Sequence, residues 1–228
     1  MWLEKIELLN ELNWASVSVK LVLALILGGL LGYEREQKHR PAGLRTYVLV
    51  CLGATLACIT NVFLCEIYGA NDPARIPAQV ISGMGFLGAG TIIVTRKQRI
   101  KGLTTAAGLW CCAAIGIAIG SGFYFGAILT TILIVLALKL FLYIDRVVEK
   151  NNDRIEYYAE CSTMDFVRNL VKYAKSHNYG ITEIQVISEK DAAIHIITFV
   201  IRIVNSAERP LVAQEIEALD GCIFLDNY

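Results

Sequence analysis

The sequence predicts an α-helical membrane domain of five spans followed by a small α+β domain of ferredoxin-like order, βαββαβ. Three observations predict it. Of the 228 residues, 55% are hydrophobic and the mean hydropathy is positive, which is too apolar for a typical soluble domain. Runs long enough to cross a hydrocarbon core of ~30 Å recur through the first part of the chain. After about residue 150 they give way to short strand-like and amphipathic segments. The expected domains are therefore 1–150, transmembrane, and 151–228, soluble.

In chain order, residues 1–13 are too short and too charged to span. Trp2, Leu3, Ile6, Leu9 and Trp14 keep helical spacing, which fits an interfacial amphipathic helix or a frayed end. The first span is expected over 17–33. Ala24, Gly28 and Gly32 give it the small-xxx-small pattern of close helix packing. A polar turn at 34–40 ends in Pro41. The second span, 46–68, carries Asn61, a residue type that inside membranes hydrogen-bonds between helices. A loop with Asp72, Arg75 and Pro77 leads to the third span, 78–95. That span holds Gly83, Gly85, Gly88 and Gly90, a composition poor for a soluble helix but suited to close approach in lipid. A basic turn at 96–102 holds Arg96, Lys97, Arg99 and Lys101. The fourth span is 103–120, with Gly116-xxx-Gly120, and the fifth is 123–144, opened by Phe123, Tyr124 and Phe125.

Five spans put the termini on opposite sides. The first loop carries Arg35, Lys38, Arg40 and Arg45, the third carries the basic turn, and Arg146 and Lys150 follow the last span. The second loop has only Arg75 and the fourth has no basic residue. The positive-inside rule then places the N-terminus outside and the C-terminal domain in the cytoplasm. The neutral total hides an asymmetry: residues 1–150 have a balance of +5 and residues 151–228 of −5.

In the tail, 154–161 reads as a strand. Ser162-x-x-Asp165 is a capping-box candidate before Val167, Leu170, Val171 and Ala174 at helical spacing, with Gly180 as the stop. Residues 181–188 and 192–204 read as strands. Residues 206–219 read as a helix with Pro210 in its first turn, and 222–227 as the last strand.

Several apparent motifs dissolve on context. Gly83-Met-Gly85-Phe-Leu-Gly88 satisfies G-x-G-x-x-G. It lies inside a span, however, and lacks the preceding strand and the acidic residue about 20 positions on that dinucleotide binding requires. Of the seven cysteines, Cys51, Cys58 and Cys65 recur every seventh residue, which marks a packing seam, and no C-x-x-C pair occurs. His39, His177 and His195 are isolated, and no nucleophile–base pair is visible, so enzymatic activity, a cofactor and a metal site are not expected. Nucleic-acid binding is not expected either. The polar residues Glu34, Arg35, Glu36, Arg45 and Thr46 meet where the first two spans reach the cytoplasm. They read either as a charged network at a pathway or partner site, or as a solvated loop with topology signals. Asn61 and Asp72 complete the set of candidate functional polar residues. Gly28, Gly32, Gly83, Gly85, Gly88, Gly90, Gly116 and Gly120 are the candidate helix-packing positions.

The segments LGYERE at 31–36, AGLRT at 42–46, QVISGMGFLGAGTI at 79–92 and GLTTAAGLW at 102–110, followed by AAIG at 113–116, resemble the MgtC/SapB family of bacterial inner-membrane proteins. The match covers about residues 17–145. The resemblance implies a multi-spanning inner-membrane protein with a variable C-terminal domain, ACT-like in some members. It also implies a role in adaptation to low magnesium and, in some pathogens, in survival inside macrophages. The family's name points to magnesium transport, whereas its best-studied members are thought to modulate other membrane machinery, including the proton-driven ATP synthase. The residues bear on this choice. A divalent-cation carrier is expected to hold carboxylates at membrane depth. Here Glu34, Glu36, Glu66 and Asp72 all lie near span ends. The expectation is a protein that packs against a second copy or another membrane protein within the bilayer, with ion transport as the alternative and any ligand of the tail unknown.

Overall fold

Glycines set the spacing of the helices. The computed structural model describes residues 12–69, 72–95, 100–151, 153–187, 194–204 and 208–227. It divides into two compact units, Met1–Phe141 and Leu142–Tyr228. The first holds α1 (Trp14–Gln37), α2 (Leu44–Tyr68), α3 (Arg75–Thr91), a two-stranded ribbon of β1 (Ile93–Val94) and β2 (Ile100–Lys101), α4 (Leu103–Gly120) and most of α5 (Tyr124–Asn151). Four of these helices are long and apolar enough to cross a membrane: α1, α2, α4 and the stretch Tyr124–Phe141 of α5.

In this unit α2 lies between α1 and α4. A Cβ added at Gly28 of α1 would stand 2.7 Å from Cys51 Cβ, and one at Gly32 would stand 2.7 Å from Leu44 Cα. From the other side, a Cβ at Gly116 of α4 would stand 2.5 Å from Cys51 O, and one at Gly120 would stand 2.6 Å from Cys58 Cβ. Thr55 Oγ1 donates to Gly116 O at 2.9 Å, and Cys112 Sγ donates to Tyr47 O at 3.3 Å. Leu27, Leu31, Tyr47, Leu109, Ile115 and Ile119 fill the remaining core. Cys51 and Cys58 are buried along the seam and Cys65 is partly so.

Several boundaries differ from expectation for local reasons. The residues read as a polar turn at 34–40 continue α1 as far as Gln37, because Glu34 and Arg35 are buried against neighbouring helices. The third span does not continue helically to 95. The β-branched run Ile92–Thr95 favours extended backbone, and α3 ends at Thr91, whose Oγ1 turns back to Gly88 O at 2.8 Å. At 17 residues, α3 is about 25 Å long and falls short of the ~30 Å core. Its start at Arg75 places Pro77 in the first turn, where a missing N–H costs little. Ribbon pairing sets Ile93 opposite Lys101 and Val94 opposite Ile100. Residues 1–11 and the tip 96–99, and with them the proposed N-terminal amphipathic helix and Arg96, Lys97 and Arg99, lie outside the described residues.

The second unit follows the order β3 (Arg154–Cys161), α6 (Asp165–Ser176), β4 (Gly180–Val186), β5 (His195–Arg202), α7 (Arg209–Glu217), β6 (Cys222–Asn227). Its antiparallel sheet runs β4-β5-β3-β6, with Tyr157 opposite Phe199. Alternate residues Tyr157, Ala159 and Cys161 of β3, with Ile197, Phe199 and Ile201 of β5, pack with Phe166 and Leu170 of α6 and Val212 and Ile216 of α7. This is period two meeting period 3.6. The capping box is not formed. Ser162 Oγ donates to Gly221 O at 3.4 Å, and α6 starts after Met164 with no side-chain cap. Gly180 opens β4 rather than stopping α6, and Asn178 takes the left-handed turn with φ 58°.

Candidate functional site

Where α1, α2 and α4 meet near the α1–α2 loop, the structure buries a charged pair. Glu34 is 6% exposed and Arg35 4%. One guanidinium nitrogen of Arg35 lies 3.7 Å from Glu34 Oε2, and the other donates to Thr105 Oγ1 at 3.5 Å. Tyr47 enters from α2 and is 1% exposed. Gly108 makes room for it: a Cβ there would collide with the Tyr47 hydroxyl. Thr105 and Gly108 sit one turn apart on α4, so the pair and the phenol share one junction. Both carboxylate oxygens of Glu34, Arg35 Nε and the Tyr47 hydroxyl are buried without a hydrogen-bond partner. Left unsatisfied, such an atom costs ~1–3 kcal/mol, so four at one junction call for an explanation beyond packing.

The expected polar set is only partly brought together. Glu36 does not pair with Arg45. Its Oε2 accepts from the Leu44 N–H at 2.8 Å and caps α2, whose N-cap, Gly43, has no side chain to do so. Arg45 and Thr46 are exposed on the first turn of α2, and among the described residues no ion pair joins Arg45 to Glu34 or Glu36. Asn61 lies 17 positions along α2 from Leu44, about 25 Å away at 1.5 Å per residue. It ties α2 to the next loop: Asn61 Nδ2 donates to Asp72 O and Ile76 N donates to Asn61 Oδ1, each at 3.4 Å. Asp72 Oδ1 accepts from Ala74 N at 3.1 Å, a local turn. Asn61 and Asp72 therefore belong to the opposite end of the bundle.

Sequence reasoning missed Tyr47, Thr105 and Lys20. Lys20 is 4% exposed, and its ammonium donates to Gly120 O at 3.0 Å. The signal was present: a lone lysine inside an apolar run is a functional or structural candidate by default.

The glycines divide into two groups. Gly28, Gly32, Gly116 and Gly120 lie against neighbouring helices. On α3, Gly88 makes an ordinary contact, 3.5 Å from an added Cβ to Ala106 Cβ, whereas Gly83, Gly85 and Gly90 have nothing within 4 Å. An added Cβ at these three would touch no other part of the described chain; the face of α3 that does pack carries Met84 and Gly88, which are buried, and Val80. The G-x-G-x-x-G look-alike lies wholly within helix α3, with no strand before it among the described residues.

In the C-terminal unit, an open cleft of about 470 Å³ lies beside Asn169, Lys172, Tyr173 and Asp220. Tyr173 donates to Glu215. Burial, and then this bond to a carboxylate, hold the phenol well above its ordinary range.

The MgtC family model matches residues 21–147. An uncharacterized protein of Haemophilus influenzae is 33% identical over 185 residues, covering 78% of each chain. A protein of Escherichia coli K12 called "Putative magnesium transporter YhiD" is 43% identical over 132 residues, 56% of this chain and 61% of its own. Protein MgtC of Brucella abortus is 46% identical over 112 residues, 49% of this chain and 45% of its own. The matched region thus spans about half to three-fifths of the length of the latter two relatives. The solution structure of the C-terminal domain of the MgtC protein from Mycobacterium tuberculosis aligns with 34% of this chain and 87% of its own at 12% identity, with a TM-score of 0.29.

Proposed function

The chain belongs to the MgtC family, and from that premise we propose that it is a bacterial inner-membrane protein that modulates membrane physiology under magnesium limitation by packing against partner membrane proteins. The observation that carries this reading is the contrast between its glycines. Gly28 and Gly32 of α1 and Gly116 and Gly120 of α4 are at backbone contact with α2, while a Cβ added at Gly83, Gly85 or Gly90 of α3 would meet nothing within 4 Å among the described residues. A helix that accepts the destabilisation of several interior glycines gains from them where another helix comes close. Among the described residues of its own chain, α3 gains little from them.

In this reading α3 crosses as a fifth span, its ~25 Å extended by the strand β1. The N-terminus lies outside and the C-terminal unit in the cytoplasm, following the loop charges. The C-terminal unit is a ferredoxin-like, ACT-like module, a reading supported by its βαββαβ order and β4-β5-β3-β6 sheet. It serves docking, dimerisation or ligand sensing. No enzymatic step and no nucleic acid enter this reading, and the packing partner is a second copy or another membrane protein.

The second reading is ion transport. It is favoured by the buried carboxylate of Glu34, which has no hydrogen-bond partner, and by the name of the E. coli relative. Against it, the seam beyond the Glu34 junction is closed by Gly28 and Gly116 against α2. Moreover, no group of three His, Cys, Asp or Glu side chains among the described residues is arranged to hold a metal ion. Two measurements separate the readings: magnesium uptake by proteoliposomes, and growth in low magnesium of a strain carrying Gly85→Leu. The first reading expects no saturable uptake and a growth defect from a normally inserted Gly85→Leu protein. Saturable uptake abolished by Glu34→Gln would overturn it.

A further inference from the structure

The four unpartnered atoms at the α1–α2–α4 junction form a chemically specific set. Glu34 offers two acceptor oxygens, Arg35 Nε one N–H, and Tyr47 a hydroxyl that both donates and accepts. The charges of Glu34 and Arg35, 3.7 Å apart, cancel, so the site is neutral as built. A divalent cation suits it poorly: it would meet one carboxylate already facing a guanidinium, and Mg²⁺ is bound through carboxylates that keep their charge for it. The guest that fits is neutral and small, and it donates to a carboxylate while accepting from N–H and O–H.

We infer that this junction is an internal hydration site, in which ordered water bridges Glu34, Arg35 and Tyr47. Buried water typically makes about three hydrogen bonds to polar groups that lack protein partners, and four such atoms stand here. Entry is short. Glu34 lies three residues before the end of α1, and the loop that follows is exposed through Lys38, His39, Arg40 and Pro41. Beyond the site the α1–α2 seam is tight: a Cβ at Gly32 would already meet Leu44 Cα and Tyr47 Cβ, at 2.7 and 2.9 Å. Water therefore reaches the charged pair from one end of the bundle. The inference is independent of the partner reading and stands or falls on a separate measurement.

The test is radiolytic labelling in heavy-oxygen water of the full chain in lipid nanodiscs, read by mass spectrometry. Tyr47 is 1% exposed, whereas Trp110 is 48% exposed at the middle of α4 and is covered by lipid in a nanodisc. The expected result is label on Tyr47 severalfold faster than on Trp110, and severalfold slower Tyr47 labelling in Glu34→Leu. Labelling of Tyr47 no faster than of Trp110 would show a dry junction and overturn the inference. So would unchanged labelling in Glu34→Leu. Protection of Tyr47 by magnesium chloride, but not by sodium chloride of equal ionic strength, would also overturn it, by identifying the guest as a cation.

Discussion

The ammonium of Lys20 and the carbonyl oxygen of Gly120, one hundred residues apart in the chain, meet at 3.0 Å inside the helical bundle. Gly120 is the last residue of α4. Its carbonyl is one of the four that a helix end leaves without an intrahelical partner, and a cation there also complements the helix dipole. The buried lysine acts as a C-terminal cap delivered from another helix. Lys20→Met keeps the length of the side chain but strands that carbonyl. It is expected to cost about 1–3 kcal/mol, measured by unfolding in mixed micelles. Unchanged stability would mean that water or lipid headgroups reach Gly120.

The two groups of glycines predict opposite responses to one methyl group. Gly116→Ala puts a Cβ 2.5 Å from Cys51 O and 2.8 Å from Ala54 Cβ. Overpacking of this kind costs about 1–3 kcal/mol. Gly85→Ala meets nothing within 4 Å and is expected to stabilise α3 by about 0.5–1 kcal/mol through lower backbone entropy in the unfolded chain. The same micelle titration, run on the two variants side by side, checks both signs.

Glu36 closes the first turn of α2 from outside the helix. Glu36→Ala removes the acceptor for the Leu44 N–H and is expected to destabilise by about 1 kcal/mol, as lost caps do. Glu36→Gln keeps an acceptor oxygen and loses only the charge term, so it is expected to cost less. Hydrogen exchange at the start of α2 reports the difference directly.

In the C-terminal unit, Arg202 Nε donates to Asp153 Oδ2 at 2.5 Å. This hydrogen bond, and then the charges of Arg202 and Arg154, hold the Asp153 carboxyl below its ordinary range. A carboxylate depressed in the folded state contributes stability that is present above its unfolded pKa, ~3.9. That contribution is lost as pH falls through the folded value. The expected outcome is a small loss of exchange protection in the β3–β5 ladder below about pH 4, absent in Asp153→Asn. The pair is exposed, so the effect is modest. A loss of equal size in Asp153→Asn would assign it elsewhere.

Much of the fold was legible because it follows from periodicity. The apolar runs of α1, α2, α4 and α5 announce themselves by length, and β3, α6, α7 and β6 by alternation or helical spacing. What escaped depended on tertiary partners. Glu34 and Arg35 read as a loop because charge at a span end signals topology, yet burial against Thr105 and Tyr47 keeps them helical. Lys20 was unreadable as a cap because its carbonyl lies a hundred residues away. Gly83 and Gly28 look alike in sequence, and only the position of α2 separates the glycine that touches it from the one that does not. Ser162 is no cap because α6 begins only after Met164, while the Ser162 N–H donates to Gly221 O at 2.9 Å.

The central claim, that α3 presents its outward face to a protein partner, is tested most directly by photocrosslinking in native membranes. A benzophenone amino acid replaces Phe86, which is 84% exposed beside Gly85, and in a control replaces Leu133 of α5, 55% exposed. The account predicts a discrete protein adduct from position 86, to a second copy or to one other membrane protein, that is lost in Gly85→Leu and absent from position 133. Lipid adducts alone at both positions, under magnesium limitation, would contradict it.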